Sequence, residues 1–326
     1  MDALTLLMTV LKILLVLLAL PVVVGFSTWA ERKVLGRLQI RYGPNRAGPF
    51  GMLQWVADAI KLITKEYVIP AAADRWLFVA APLFMMVPAV TVYALIPFGR
   101  GLVITDVNVG LLLLMAISSL SVYGIIFGGW ASNSKSSLLG SLRAASQMIA
   151  YELSLGLSLV GVVLMAGSMS LVDIVAAQRP LPFALLQPLG FLIFLIAGVA
   201  ETNRIPCDLP EAEGDLGAGY HTEYSAMGFG LFQLGEYASI WSISALATTL
   251  FLGGWQGPGA QAAPWISLAW FFAKSLLFIL MFYWLRGTLP RLRYDQLMAF
   301  GWKVLLPLSL LNLLWVAGVT AWRARA

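Results

Sequence analysis

Long apolar runs separated by short polar segments fill this chain from end to end, and most of the runs are long enough to cross a bilayer. A transmembrane helix needs about 20 mostly apolar residues to cover roughly 30 Å of hydrocarbon. Eight stretches qualify: about 4–26, 76–96, 109–130, 142–166, 185–200, 224–252, 265–285 and 304–322. The fifth is short and extends toward Glu201. Lipid offers no partner to backbone N–H and C=O groups, so every run is predicted to be helical. The expected fold is an all-α integral membrane protein with about eight transmembrane helices. No internal repeat is visible and Gly/Pro-rich stretches occur only as loops, so residues 1–326 are read as a single polytopic membrane domain. The first run lacks a basic leader and a small-residue cleavage site before a soluble domain, and is read as a retained span.

One segment follows a different period. Between about 51 and 65, Gln54, Asp58, Lys61 and Lys65 recur at helical steps, while Met52, Val56, Ala59, Ile60 and Ile63 fill the other face. That pattern predicts an amphipathic helix lying along the membrane boundary, too short and too charged to span. A turn-rich segment, Tyr42-Gly43-Pro44-Asn45-Arg46 with Gly48-Pro49, fixes it relative to the first span. It is either a surface helix resting on headgroups, or one whose Asp58 and Lys61 face a polar cavity beneath a partner protein.

Composition agrees with lipid as the solvent. Hydrophobic residues make up 60% of the 326 and charged residues 11%, against about 25% charged in a soluble domain; mean hydropathy is +0.84. The net charge of +5 comes from basic residues beside the spans, which membrane topology explains better than nucleic acid. Fifteen Lys and Arg fall in the odd-numbered loops and four outside the spans on the other side. The positive-inside rule therefore places the odd loops in the cytoplasm and both termini outside. Eleven acids share the odd-loop side, against Asp2, Asp106 and Asp173 opposite. Orientation needs only Lys and Arg, so these acids are either ordinary solvated loop charge or a docking or proton-handling surface.

Two acids lie inside spans: Glu152 in the fourth and Glu236 in the sixth. A charge at that depth costs about 2.5–3.5 kcal/mol on insertion scales, so each is expected to face protein or water. Gln147, Tyr151, Ser154 and Ser158 form a polar stripe beside Glu152, and Gln233 and Ser239 flank Glu236. Interhelical glue is one use of such groups; two acids in different spans favour a proton path. Lys12 is placed to snorkel, and Lys274 to pair with a span acid.

The fifth loop, about 201–223, is the densest feature. Glu201, Asp208, Glu211, Glu213, Asp215 and Glu223 crowd around Arg204, so some must be protonated or paired. No EF-hand spacing is present. His221 reads as a hydrogen-bonding group and Cys207 as inert packing. One cysteine excludes a disulfide framework and an iron–sulfur cluster bound by this chain alone, and one histidine excludes a bis-histidine haem. No Walker A loop, dinucleotide fingerprint or HExxH is present. Alone, the chain has no means of storing an electron.

Several ordered segments resemble the NuoH family, the H-type membrane subunits of proton-pumping NADH:quinone oxidoreductase (respiratory complex I), over essentially the whole chain. They are Glu31-Arg32-Lys33, Arg41-Tyr42-Gly43-Pro44-Asn45, Gly129-Trp130-Ala131-Ser132-Asn133-Ser134-Lys135, residues 200–213, residues 219–224 and Pro290-Arg291-Leu292-Arg293-Tyr294-Asp295-Gln296. The resemblance implies a bacterial inner-membrane component forming the membrane half of a quinone chamber, with quinone as substrate entering between spans one and six and the amphipathic helix. Partner subunits of the hydrophilic arm would carry FMN and iron–sulfur clusters, and antiporter-like subunits would adjoin it in the membrane. By matching position, Arg32, Arg41, Asp58, Lys61, Arg286, Arg291 and Arg293 are implied to line the chamber. Glu152, Glu201, Glu211, Glu213, Glu223 and Glu236 are implied to form a proton path, with no catalytic residue or metal ligand in this chain alone. Cys207 stands where the family usually has Phe, and Gly214-Asp215 where Ser-Glu is common, so Asp215 is left out of the relay. An anchor subunit of a membrane-bound hydrogenase, or of a ferredoxin- or F420-dependent enzyme, is the related alternative. A stand-alone transporter would be expected to show repeated halves and broken helices.

Overall fold

The computed structural model describes residues 3–209 and 219–323, and these form helices, turns and one isolated bridge between Gly99 and Leu102. The helices, in chain order, are α1 (Ala3–Leu38), α2 (Gln54–Thr64), α3 (Arg75–Thr91), α4 (Gly110–Ser119), α5 (Ser121–Ala131), α6 (Lys135–Ala166), α7 (Leu171–Ala177), α8 (Phe183–Leu186), α9 (Pro188–Glu201), α10 (Ala226–Phe251), α11 (Pro264–Thr288), α12 (Tyr294–Phe300) and α13 (Leu306–Arg323). Six continuous segments are long and apolar enough to cross a membrane: Leu6–Leu38, Arg75–Ala94, Gly110–Ala131, Lys135–Ala166, Pro264–Thr288 and Tyr294–Trp322. The protein is an all-α membrane protein.

Several helices overrun the apolar runs. Helix α1 continues to Leu38, so Glu31, Arg32, Lys33 and Arg37 sit on its last turns and not on a loop. Helix α6 begins at Lys135, so Arg143 also sits on a helix. Hydropathy marks where hydrocarbon ends, whereas a helix ends where the backbone turns. For α1 that is Ile40, with φ 56°, where Arg41 N–H donates back to Gly36 O at 2.8 Å. For α6 it is Gly167, whose φ of 70° closes the last turn. Helix α7 lies in what hydropathy leaves as loop.

The fifth and sixth runs behave differently. Helix α9 has 14 residues, about 21 Å, and follows the one-turn α8. Helix α10 has 26 residues and length to spare, but it is not among the six, and it carries Glu236 and a row of hydroxyls. It is the most enclosed element, and its polar groups are satisfied at home: Ser244, Thr248 and Thr249 donate to the carbonyls of Ile240, Ser244 and Ala245 at 2.8, 2.9 and 2.7 Å. One apolar cluster surrounds α10 with α6, α9 and α11, including Phe194, Ile243 and Phe251. A second lies between α3, α5 and the start of α10, where Phe78 stacks on Tyr224 at 4.0 Å. There α5 meets α3 backbone to backbone: a Cβ on Gly124 would come 2.6 Å from Met85 N.

The amphipathic helix is present as α2, shorter than the pattern indicates because a 3₁₀ turn, Pro49–Gly51, occupies its start. Trp55 seats against Gly25 of α1 and Leu62 against Gly230 of α10, while Ile60 and Ile63 stay exposed. Among the described residues Lys274 forms no ion pair with an acid. Its ammonium donates to the carbonyls of Leu252, Gly254 and Gln256 at 2.7, 3.1 and 2.6 Å. It therefore caps the C-terminal end of α10, where free carbonyls concentrate negative potential.

Candidate functional site

Glu236 lies on α10 facing the bundle interior, 5% exposed. Its Oε1 accepts the Tyr220 hydroxyl at 2.6 Å, and its Oε2 lies 3.3 Å from Arg204 Nη2. The Arg204 guanidinium also sits 4.5 Å over the Tyr237 ring. A buried carboxylate is thus held by a phenol and a guanidinium. Tyr220 reaches it because the 3₁₀ turn Gly219–His221 packs on α6 at Gly140, where a Cβ would meet Gly219 Cα at 2.9 Å. Ser137 Oγ fixes the same turn by donating to Tyr220 O at 3.0 Å.

A cavity of about 30 Å³ connects Glu236 with Glu201, Asn203, Ser239 and Ser121, room for one or two waters. Glu201 Oε2 and Asn203 Oδ1 are buried without a hydrogen bond among the described residues. Glu152 is half-buried on α6, near enough to Glu201 for their charges to interact. Gln147 braces the neighbouring loop, its Nε2 donating to the carbonyls of Ala200 and Cys207 at 2.7 Å each. Two of the predicted acids, 201 and 236, therefore line one cavity, while Glu152 lies on α6 outside its lining. Glu223 is half-buried in the turn before α10, and Glu211 and Glu213 lie outside the described residues, as does Asp215.

The predicted chamber residues divide into paired and exposed groups. Arg286 pairs with the buried Glu31. Arg291 pairs with the buried Asp208 at 2.8 Å, and Arg32 with Asp58 at 2.7 Å. Arg41, Lys61 and Arg293 are exposed, Arg41 donating to Gln39 Oε1 at 2.7 Å. The Arg286, Arg291 and Arg32 pairs lie around the end of α1 and the loops beside it.

Outside the membrane segments, burial holds His221 below the usual imidazole value; Glu236 pulls it up and Arg204 pushes it down. Burial, with Asp208's charge, pushes the Cys207 thiol up to about 12. Among the described residues no group of three or more His, Cys, Asp and Glu is placed to hold a metal. Sequence reasoning missed Tyr220 as a site residue and Glu236 as the partner of Arg204. The available signal was that Arg204 is the one base in the fifth loop.

Residues 11–317 match the NADH dehydrogenase family. The chain is 54% identical over 323 residues to the second NADH-quinone oxidoreductase H-type subunit of Syntrophobacter fumaroxidans, covering 96% of each chain. It is 53% identical over 329 residues to the NADH-quinone oxidoreductase H-type subunit of Syntrophotalea carbinolica, covering 98% of each. The chain belongs to the family of H-type subunits of NADH-quinone oxidoreductase. Similarity at this level and over this length matches the resemblance carried by the loop segments. A member of this family works within an oxidoreductase complex, so other complex subunits are its partners.

Proposed function

We propose that this chain forms the membrane wall of a quinone chamber and couples quinone reduction to proton translocation. The observation that carries this reading is the buried Arg204–Glu236–Tyr220 group, which shares a cavity with Glu201 and lies in reach of Glu152's field. Quinol formation consumes protons at a site enclosed by lipid, and carboxylates with one or two waters between them supply a route. Glu211, Glu213 and Glu223 extend the route along the fifth loop. Arg32, Arg41, Asp58, Lys61, Arg286, Arg291 and Arg293 line the chamber, which is completed when a hydrophilic arm bearing FMN and iron–sulfur clusters docks on that face. Quinone reaches it between α1, α10 and α2. The odd loops face the cytoplasm of a bacterial inner membrane, both termini lie outside, and the chain acts as one membrane domain beside antiporter-like subunits.

The test is to change Glu236 and Glu152 separately to Gln, and Tyr220 to Phe, in the intact complex. Quinone reduction and proton pumping are measured apart. Each Glu→Gln variant is expected to lose pumping to a greater degree than its electron transfer would explain. Tyr220→Phe is expected to slow coupled turnover about tenfold, the worth of one hydrogen bond to a charged group. Pumping at the wild-type rate and stoichiometry in both Gln variants would sink the relay.

A further inference from the structure

Along the middle of α1, lined by different residues from the acid cavity, lies a second cavity that the proposed reaction does not use. Its volume is about 300 Å³, its wall is almost wholly apolar, and it opens on one side between α1, α10 and α11. It follows α1 from Leu15 to Val23, or about 12 Å. Trp241, Leu268 and Phe272 form the opposite wall. The polar atoms nearest it are already engaged. Tyr93 donates its hydroxyl to Ala238 O at 2.6 Å, and Trp241 donates Nε1–H to Ser27 Oγ at 2.6 Å. Apart from Lys12 at its end, the cavity thus offers a long apolar slot with no free polar group.

Lys12 lies at one end of this slot, contributing its aliphatic stem to the wall. Its ammonium donates to Val103 O at 2.9 Å and is half-buried. Among the described residues, no carboxylate forms an ion pair with it. An ammonium has three donors, so the remaining ones are open to further acceptors, and a lipid phosphate supplies both oxygens and the opposite charge. Glu31, at the chamber end, is 19 residues away along α1, about 28 Å.

We propose that this cavity seats one acyl chain of an anionic membrane phospholipid, with its phosphate paired to Lys12. The apolar slot accepts the chain, and the cation selects the headgroup. This site is distinct from the acid-lined cavity, with which it shares no lining residue.

The experiment uses the intact complex in nanodiscs of phosphatidylcholine doped with a phosphatidylglycerol that carries a diazirine midway along one chain. The same diazirine chain on phosphatidylcholine is the control, and crosslinked peptides are mapped after irradiation. In the wild type the phosphatidylglycerol probe is expected to label residues 15–23 and 268–272 in preference to the control. Lys12→Met should reduce that preference about fivefold, the worth of one basic residue near a charged surface, while still admitting a chain. Ala19→Phe, which fills the slot, should abolish labelling by both probes. Equal labelling by the two probes in the wild type, or a preference unchanged in Lys12→Met, overturns the anionic headgroup. Stoichiometric displacement of the probe by added quinone overturns the assignment to lipid, since the slot would then belong to the quinone. A normal quinone KM in Ala19→Phe, with labelling lost, supports a separate lipid site even if the relay reading fails.

Discussion

Asp208 and Arg291 stand 83 positions apart in the chain and 2.8 Å apart in space. The contact joins the loop after α9 to the loop after α11, and Leu292 N–H reinforces it by donating to Pro206 O at 3.1 Å. Asp208 is buried, whereas Arg291 is about one-third exposed. Removing the arginine leaves a buried carboxylate without its guanidinium, while Asp208→Asn keeps shape and loses charge. Arg291→Ala is therefore expected to cost about 1–3 kcal/mol and Asp208→Asn less. Thermal unfolding of the purified complex checks the order, and equal losses would contradict it.

Two glycines make a controlled pair. Gly124 faces α3 backbone, with Met85 N 2.6 Å and Ala81 O 3.0 Å from the position of a Cβ, whereas Gly156 of α6 has nothing within 4 Å. Gly124→Ala must push two helices apart, at about 1–3 kcal/mol. Gly156→Ala should be neutral or add up to about 1 kcal/mol through helix propensity. Unfolding temperatures of the two variants are expected to move in opposite directions or differ sharply in size.

Cys207 is buried and its thiol is pushed up to about 12. Thiolate is the reactive form, so alkylation should be slow in the native complex and fast after denaturation. A maleimide time course at mildly alkaline pH before and after detergent unfolding, read on this chain's peptide, tests this. Fast native labelling would place the loop in a different arrangement.

His221 is held below its ordinary value by burial. The unfolded chain then binds more protons than the folded one as pH falls past about 6.5. The stability that neutral His221 contributes is fully present above that value and declines below it. His221→Gln should narrow the difference in unfolding temperature between about pH 7.5 and about pH 5.5. An unchanged difference would show that the imidazole titrates normally.

Much of the architecture was legible because lipid leaves few choices. Apolar length located the helices, and the depth of Glu152 and Glu236 marked both as interior. The overrun of α1 past residue 26 was not legible from hydropathy, since helix formers such as Glu31 and Arg32 are polar. The pairings were also hidden. Arg204 with Glu236, Glu31 with Arg286 and Asp208 with Arg291 each join segments that only the folded bundle brings together. Lys274 illustrates the same limit: from sequence a cation in a span calls for an anion, yet carbonyls at a helix end serve instead.

Helix α10 is the most enclosed helix, and it carries a buried acid and a row of hydroxyls. In lipid alone these groups carry a cost for α10 that the folded bundle removes. Its place is secured once α3, α6 and α9 stand ready to receive it and Arg204 is there to meet its acid. The residues proposed to move protons thus also tie the seating of α10 to the docking of its neighbours, because its acid finds its partners only in the assembled bundle.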